Sequence, residues 1–188
     1  MSRHLHSACA LALLVLAAGT SLPAAAHERT PAQPARHAQA MTVVAVAAAS
    51  PEFSTLVSAV RAARLVDTLS GPGPFTVFAP TNAAFETLPD GAVEQLVRPS
   101  QRATLQRVLT YHVVPGRISR TDVATAVRVG GGTATLTTVQ GGRLTAVDAG
   151  RGRLRLHDAA GETFWITTTD VAASNGVIHV IDGVMTPH

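Results

Sequence analysis

The 188-residue sequence has no lysine, one cysteine (Cys9), one tyrosine (Tyr111) and one tryptophan (Trp165). A single cysteine excludes a disulfide framework and a cysteine-based zinc site. Aromatic residues make up 4% of the chain, too few to interleave a basic surface for stacking nucleic-acid bases. Charged residues are 14% and hydrophobic residues 46%, which excludes a chain disordered throughout. The longest apolar run, Ala8 to Ala18, has 11 residues, well short of the roughly 20 that a membrane-spanning helix needs. The missing lysines also govern the electrostatics. Fifteen arginines face 12 acids, a formal charge of +3, and almost nothing titrates between histidine and arginine. The alkaline isoelectric point therefore reports absent lysine and tyrosine more than a strong basic field.

Enzyme signatures are absent as well. There is no G-x-S-x-G, no G-x-x-x-x-G-K-[ST] and no H-E-x-x-H. Gly130–Gly132 precede strand-like residues, so they read as turn glycines and not as a dinucleotide loop. His112, His157 and His179 are too scattered to signal a metal site. Ser174, His179 and Asp182 do not form a triad, because His179 and Asp182 are three apart on one strand and point to opposite faces. The sequence thus points to a protein that is not an enzyme and carries no cofactor or metal.

What is present begins with an export signal. Arg3 precedes the apolar run, Gly19 and Pro23 break it, and Ala24-Ala25-Ala26 offers a small-residue cleavage site. Residues 1–26 read as a signal peptide cleaved after Ala26. Cys9 lies at the start of the run, where it cannot serve as a lipoprotein cysteine, and cleavage removes it. Residues 27–40, with two prolines and no apolar periodicity, read as a flexible linker. The exported chain would keep 14 arginines against 12 acids, and residues 41 onward 12 against 11. The expected location is secreted or periplasmic, with no membrane insertion after cleavage.

Residues 41–187 divide into a helical half and a strand half. Met41–Ala49 favours a short helix. Ser50-Pro51 reads as a helix start, with serine as cap and proline at the first position. Phe53, Leu56, Val57 and Val60 follow at helical spacing, and Leu65, Val66 and Leu69 extend that face after a bend. Phe75–Phe78 reads as a buried strand. Thr81 or Asn82 caps the next helix, and two more helices follow, over Gly91–Val97 and after Ser100. In the second of these Leu105, Val108 and Leu109 face inward and Arg102 and Arg107 outward. Tyr111–Val114 reads as extended. Beyond Val127 glycines punctuate short alternating runs: Thr133–Val139, Arg143–Val147, Arg153–His157, Thr163–Thr168 and Val177–Val184. That is an antiparallel meander, so the expected class is α+β, with N-terminal helices packed on a mostly antiparallel sheet.

Two groups of residues stand out. Arg153, Arg155 and His157 alternate with Leu154 and Leu156, so the basic set shares one strand face, with Arg143 and Arg151 nearby. Such a stripe receives a polyanion such as an acidic polysaccharide, or is simply a solvated face or a charged edge that resists aggregation. In the last run Val177, His179 and Ile181 share one face and Ile178, Val180 and Asp182 the other, which predicts buried hydrogen bonds for His179 and Asp182. Asn175-Gly176 before it reads as a positive-φ turn.

Three stretches in order resemble the fasciclin (FAS1) domain family. Phe75-Thr76-Val77-Phe78-Ala79-Pro80-Thr81-Asn82-Ala83-Ala84-Phe85 is similar to its first homology block. Leu109-Thr110-Tyr111-His112-Val113-Val114-Pro115-Gly116 is similar to its Tyr-His motif. Asn175 to Met185 is similar to its second block. The resemblance covers residues 41–187 and implies a FAS1-like β-wedge fold, built on Phe75, Phe78, Pro80, Thr81, Phe85, Asn175, Gly176, His179 and Asp182. It implies an extracellular adhesion or interaction module for a cell-surface or matrix protein or glycan. In animal members a Tyr-His region and an Asp-Ile element bind receptors; Tyr111 and His112 match the former, and Asp170 and Val171 stand in the latter, with valine for isoleucine. An extracytoplasmic carrier of a small apolar ligand is the alternative, and a hydrolase using histidine and aspartate ranks below both.

Overall fold

A computed structural model describes residues 41–187. The expected signal peptide and linker lie outside the described residues. The apolar spacing of the first half produces short helices. Thr42 caps α1 (Val43–Ala49), its hydroxyl accepting from Ala45 N–H. Ser50 makes no side-chain cap; a 3-10 turn over Pro51–Phe53 leads instead into α2 (Ser54–Ala62). The expected bend falls at Arg64, where φ is 57°, and α3 (Val66–Ser70) follows. Phe53, Leu56, Val57, Val60 and Leu69 are all buried.

Strand β1 (Phe75–Pro80) ends at Thr81, whose hydroxyl caps α4 (Asn82–Glu86) by accepting from Ala84 N–H. Asn82 ties this corner back to the first helices, donating to Pro51 O and accepting from Thr55 N–H. After α5 (Ala92–Leu96) and a 3-10 turn over Pro99–Gln101, α6 (Arg102–Tyr111) buries Leu105, Val108 and Leu109. Arg107 is exposed, but Arg102 is half-buried and its Nε is enclosed without a hydrogen-bond partner. Tyr111 is the last residue of this helix and not part of an extended run; the chain straightens only at β2 (Val113–Pro115).

Helix α7 (Arg120–Val129) was not foreseen. It starts in a reciprocal cap in which Ser119 accepts from Asp122 N–H and Asp122 accepts from Ser119 N–H. The Ser119 hydroxyl and amide hold the Asp122 carboxyl below its usual range. The second half is the expected meander: β3 (Thr133–Thr137), β4 (Arg143–Asp148), β5 (Leu154–His157), β6 (Thr163–Ala173) and β7 (Gly176–Ile181).

The strands form one seven-stranded sheet in the order β2-β1-β7-β6-β5-β4-β3. Every pairing is antiparallel except β1 with β7, which run parallel from Phe75↔Gly176 to Pro80↔Ile181. Val139 N–H donates to Val113 O at 2.7 Å, so the two edge strands approach and the sheet curls toward closure. Two apolar cores result. One packs α1–α3, α6 and Phe85 of α4 against Ile178 and Val180. The other packs Val123 and Val127 of α7 with Phe78, Leu144, Leu156, Phe164 and Ile181. The central strands, covered on both sides, therefore read as continuous apolar runs.

Thr76 is the polar residue inside β1, with 0% exposure. Its hydroxyl donates to Gly116 O at 2.7 Å and accepts from Ile118 N–H at 2.9 Å, fixing the path from β2 to α7. Thr76→Val keeps the shape and strands both partners, so urea unfolding should register a loss of about 1–3 kcal/mol. An unchanged midpoint would mean that water replaces the hydroxyl.

Candidate functional site

Tyr111 sits at the end of α6 with 1% exposure, its hydroxyl donating to Arg143 O at 3.0 Å and accepting from Ala159 N–H at 3.2 Å. Burial pushes its phenol above the usual range, and a hydrogen bond from Ala159 opposes this. His112 follows with 2% exposure. Nδ1 is 2.8 Å from Val108 O, which can only accept, so the proton is on Nδ1. Nε2 accepts from Met185 N–H at 3.0 Å. Burial holds the His112 imidazole down to about 4, against a smaller opposing effect of the Val108 carbonyl. Both side chains are interior struts: one ties α6 to β4 and the turn after β5, the other ties α6 to the segment after β7.

Asp170 and Val171 lie in the irregular stretch of β6, where the register with β7 shifts between Thr168 and Val171. Asp170 adopts φ 60°, which a short polar side chain tolerates. Its carboxylate accepts from Arg120 N–H at 2.9 Å, satisfying an otherwise unpartnered donor in the first turn of α7. Its own N–H donates to His179 Nδ1 at 3.3 Å, while His179 Nε2 is 2.8 Å from Ile118 O. His179 is 1% exposed and stacks on Phe78 with ring centroids 5.6 Å apart. Val171 packs against the helix-side core. The Tyr-His pair is therefore spent inside the fold, whereas Asp170 is exposed and Val171 half-buried, and the Asp170 carboxylate still caps α7.

The second block departs from its sequence reading in two places. Neither Asn175 nor Gly176 has positive φ; the glycine is required because a Cβ there would sit 2.1 Å from Phe75 O in the neighbouring parallel strand. Asp182 is exposed rather than buried. It lies just past β7, and its carboxylate accepts from Trp165 N–H at 2.8 Å.

The solvent-facing candidates are elsewhere. Helix α7 packs on the inner face of β3 and β4, against Ala134, Leu136, Leu144 and Ala146, and shares a core with Leu156 of β5 and Phe164 of β6. The opposite face carries Thr133, Thr135 and Thr137 of β3, Arg143 and Thr145 of β4, Arg155 and His157 of β5, and Thr163 and Trp165 of β6. Arg155 pairs directly with Trp165 across the strands. The Arg153 guanidinium carbon lies 4.5 Å from the Trp165 ring centroid, and that of Arg155 lies 5.1 Å away. Arg155 Nε is enclosed without a hydrogen-bond partner. Beside this cluster a groove of about 490 Å³ is lined by Arg120, Gly152, Arg153, Trp165, Thr167, Thr169 and Asp182, among others. Trp165 and Arg120 were not foreseen as site residues. The position of Trp165 in the run Thr163–Thr168 was readable, but its pairing with Arg155 depends on strand register.

The apolar space between α1, α2, β1 and β7 is small. It amounts to about 30 Å³, where a single water needs about 10–15 Å³ by a similar measure. Among the described residues no group of three or more His, Cys, Asp or Glu side chains is placed to hold a metal ion.

Comparison with known proteins places this architecture. A fasciclin domain model matches residues 51–187. Protein sll1483 of Synechocystis sp. is 47% identical over 148 residues, which span 79% of this chain and 74% of that protein. The immunogenic protein MPB70 of Mycobacterium bovis is 34% identical over 150 residues, 77% of this chain and 68% of that one. The cell surface glycolipoprotein MPB83 of the same species is 35% identical, with 77% and 60% covered. The structure of a FAS1 domain pair from the insect cell adhesion molecule fasciclin I matches the fold with a TM-score of 0.70 at 19% identity. It covers 78% of this chain and about half, 51%, of that one. By the family model and these relatives, and with all three motif blocks seated in the fold just described, the chain belongs to the fasciclin domain family.

Proposed function

We propose that the protein is a non-enzymatic, exported interaction module that binds a component of a cell surface or extracellular matrix through the uncovered outer face of β3–β6. The observation that carries this reading is the division of labour within the fold. Tyr111, His112 and His179 are buried, hydrogen-bonded struts, whereas Arg143, Arg153, Arg155 and His157 face outward on a sheet surface that no helix among the described residues covers. The signal-like residues 1–26 and the name of the relative MPB83, a cell surface glycolipoprotein, support export. Carriage of a small apolar ligand finds less support, because the space of about 30 Å³ between helices and sheet would have to open around it.

Sedimentation of the protein with cell envelopes from its own host tests the proposal. Saturable association is expected, weakening as salt rises because exposed charges are screened over about 10 Å at 0.1 M ionic strength. Absence of saturable binding to host envelopes, intact cells and isolated matrix glycans would overturn it.

A further inference from the structure

We propose that the groove beside Trp165 is a binding subsite for an acidic polysaccharide, with Arg153 and Arg155 contacting its carboxylate or sulfate groups. The inference rests on the reading that the outer sheet face is the contact surface, and it assigns that face a ligand class and a place.

Two guanidinium groups share one indole ring, at 4.5 and 5.1 Å from its centroid. The ring's negative face attracts each of them, but the two like charges repel one another. A bound anion relieves that repulsion and uses donors that the fold leaves over. Each guanidinium has five N–H donors in a planar fork that matches carboxylate or sulfate oxygens; Arg155 Nε is enclosed, so Arg155 would meet a ligand through its terminal N–H groups. The neighbouring carboxylates each accept one backbone N–H, Asp182 from Trp165, Asp148 from Gly150 and Asp170 from Arg120; only Asp182 lines the groove, where Arg120 and Arg153 outweigh its charge. Arg120 itself is anchored, its guanidinium donating to Gly152 O. It contributes charge to the groove, while Arg153, exposed and held over Trp165, can present its outward N–H groups to a ligand without leaving the ring.

The surroundings select a sugar chain over a nucleic acid. Trp165 is the one tryptophan in the protein, and guanidinium groups already occupy its ring, so no platform is left for stacking bases. The rest of the face is rich in hydroxyls, from Thr133, Thr135, Thr137, Thr145 and Thr163. Threonine hydroxyls both donate and accept, as sugar hydroxyls do. The groove, about 490 Å³, falls within the roughly 300–1,000 Å³ of typical ligand sites.

The test titrates the protein with heparin, polygalacturonate, neutral dextran and duplex DNA, reading affinity together with the emission of Trp165. Saturable binding to at least one acidic polysaccharide is expected, with a change in Trp165 emission that has the same midpoint, and none with dextran. Arg153→Ser and Arg155→Ser should each weaken it about tenfold, as loss of a charged hydrogen bond does. The Arg61→Ser/Arg107→Ser double variant removes two exposed cations elsewhere and should bind as the parent does. If Arg155→Ser misfolds, Arg153→Ser carries the test. The proposal is overturned if neither acidic polysaccharide binds, if binding leaves Trp165 emission unchanged, or if both sets of arginine variants lose affinity equally. DNA binding as tight as that of the polysaccharides also overturns it, by reducing the face to a general anion binder. Envelope association that persists without acidic-polysaccharide binding removes this inference and leaves the interaction module standing.

Discussion

The His112→Gln protein will lose less stability than the parent between about pH 7.5 and pH 4, by about 3 kcal/mol. In the folded chain the imidazole is held down to about 4 from its ordinary 6.5. Burial is the main cause, and the hydrogen-bond pattern agrees with it: Nε2 accepts from Met185 N–H, so a proton there sets one donor against another. The unfolded chain takes up its proton as pH falls through 6.5, and the folded chain does so only near 4. The contribution of His112 is therefore complete above about 6.5, falls away as pH drops toward 4 and levels off below that. Glutamine keeps a donor and an acceptor but cannot titrate, so its pH profile should be flatter. His112→Phe leaves Val108 O and Met185 N–H without partners and should cost about 2–4 kcal/mol even at neutral pH. Urea unfolding at several pH values gives both numbers. Parallel profiles for parent and glutamine variant would show that His112 is not a neutral internal bridge.

The second large effect is expected where Asn175 holds three elements together. Its amide oxygen accepts from Val43 N–H at 2.9 Å, and its amide nitrogen donates to Leu69 O at 2.8 Å and Gly71 O at 2.9 Å. Its backbone carbonyl accepts from Phe75 N–H at 3.0 Å. One side chain thus joins the start of α1, the end of α3 and the entry to the β1–β7 pair. Asn175→Ala should cost about 2–4 kcal/mol in urea unfolding. Asn175→Asp should cost more at neutral pH, because a carboxylate oxygen then faces two carbonyls and accepts where a donor is needed. Gly176→Ala should be at least as severe, since the added carbon meets Phe75 O at 2.1 Å and backbone must move. If Asn175→Ala and Asn175→Asp have the same stability, the bridge to Leu69 and Gly71 is not a real contribution to the fold.

These residues also mark how far the sequence could be read. The face of Phe53, Leu56, Val57 and Val60 and the alternating runs of β3, β4 and β5 were legible, because periodicity survives wherever one face is buried; β7, buried throughout, was legible as a continuous apolar run. Helix α7 was not. Its run Thr121–Val129 mixes threonine, valine and alanine with little helix preference, and the cap formed by Ser119 and Asp122 was the signal that marked its start. Gly176 was read as a turn residue because Asn-Gly is a strong local turn pattern. Its actual constraint is the close approach of β1, one hundred residues earlier in the chain. Asp182 was read as continuing the strand alternation, but the strand ends at Ile181 and the side chain turns to Trp165 N–H. The Tyr-His pair is singled out by its match to the family motif that binds receptors in animal members, and here the fold uses both side chains as struts. The Arg153–Trp165–Arg155 cluster needed the β5–β6 register, which no local pattern in either strand encodes.

The central claim is that the outer face of β3–β6 is where this protein meets its partner. Acrylamide quenching of Trp165 during titration with host envelope fragments tests it most directly, because the single tryptophan sits on that face. The account predicts that quenching falls in step with envelope binding and saturates at the same point. Saturable envelope binding that leaves Trp165 as open to acrylamide as before would contradict it.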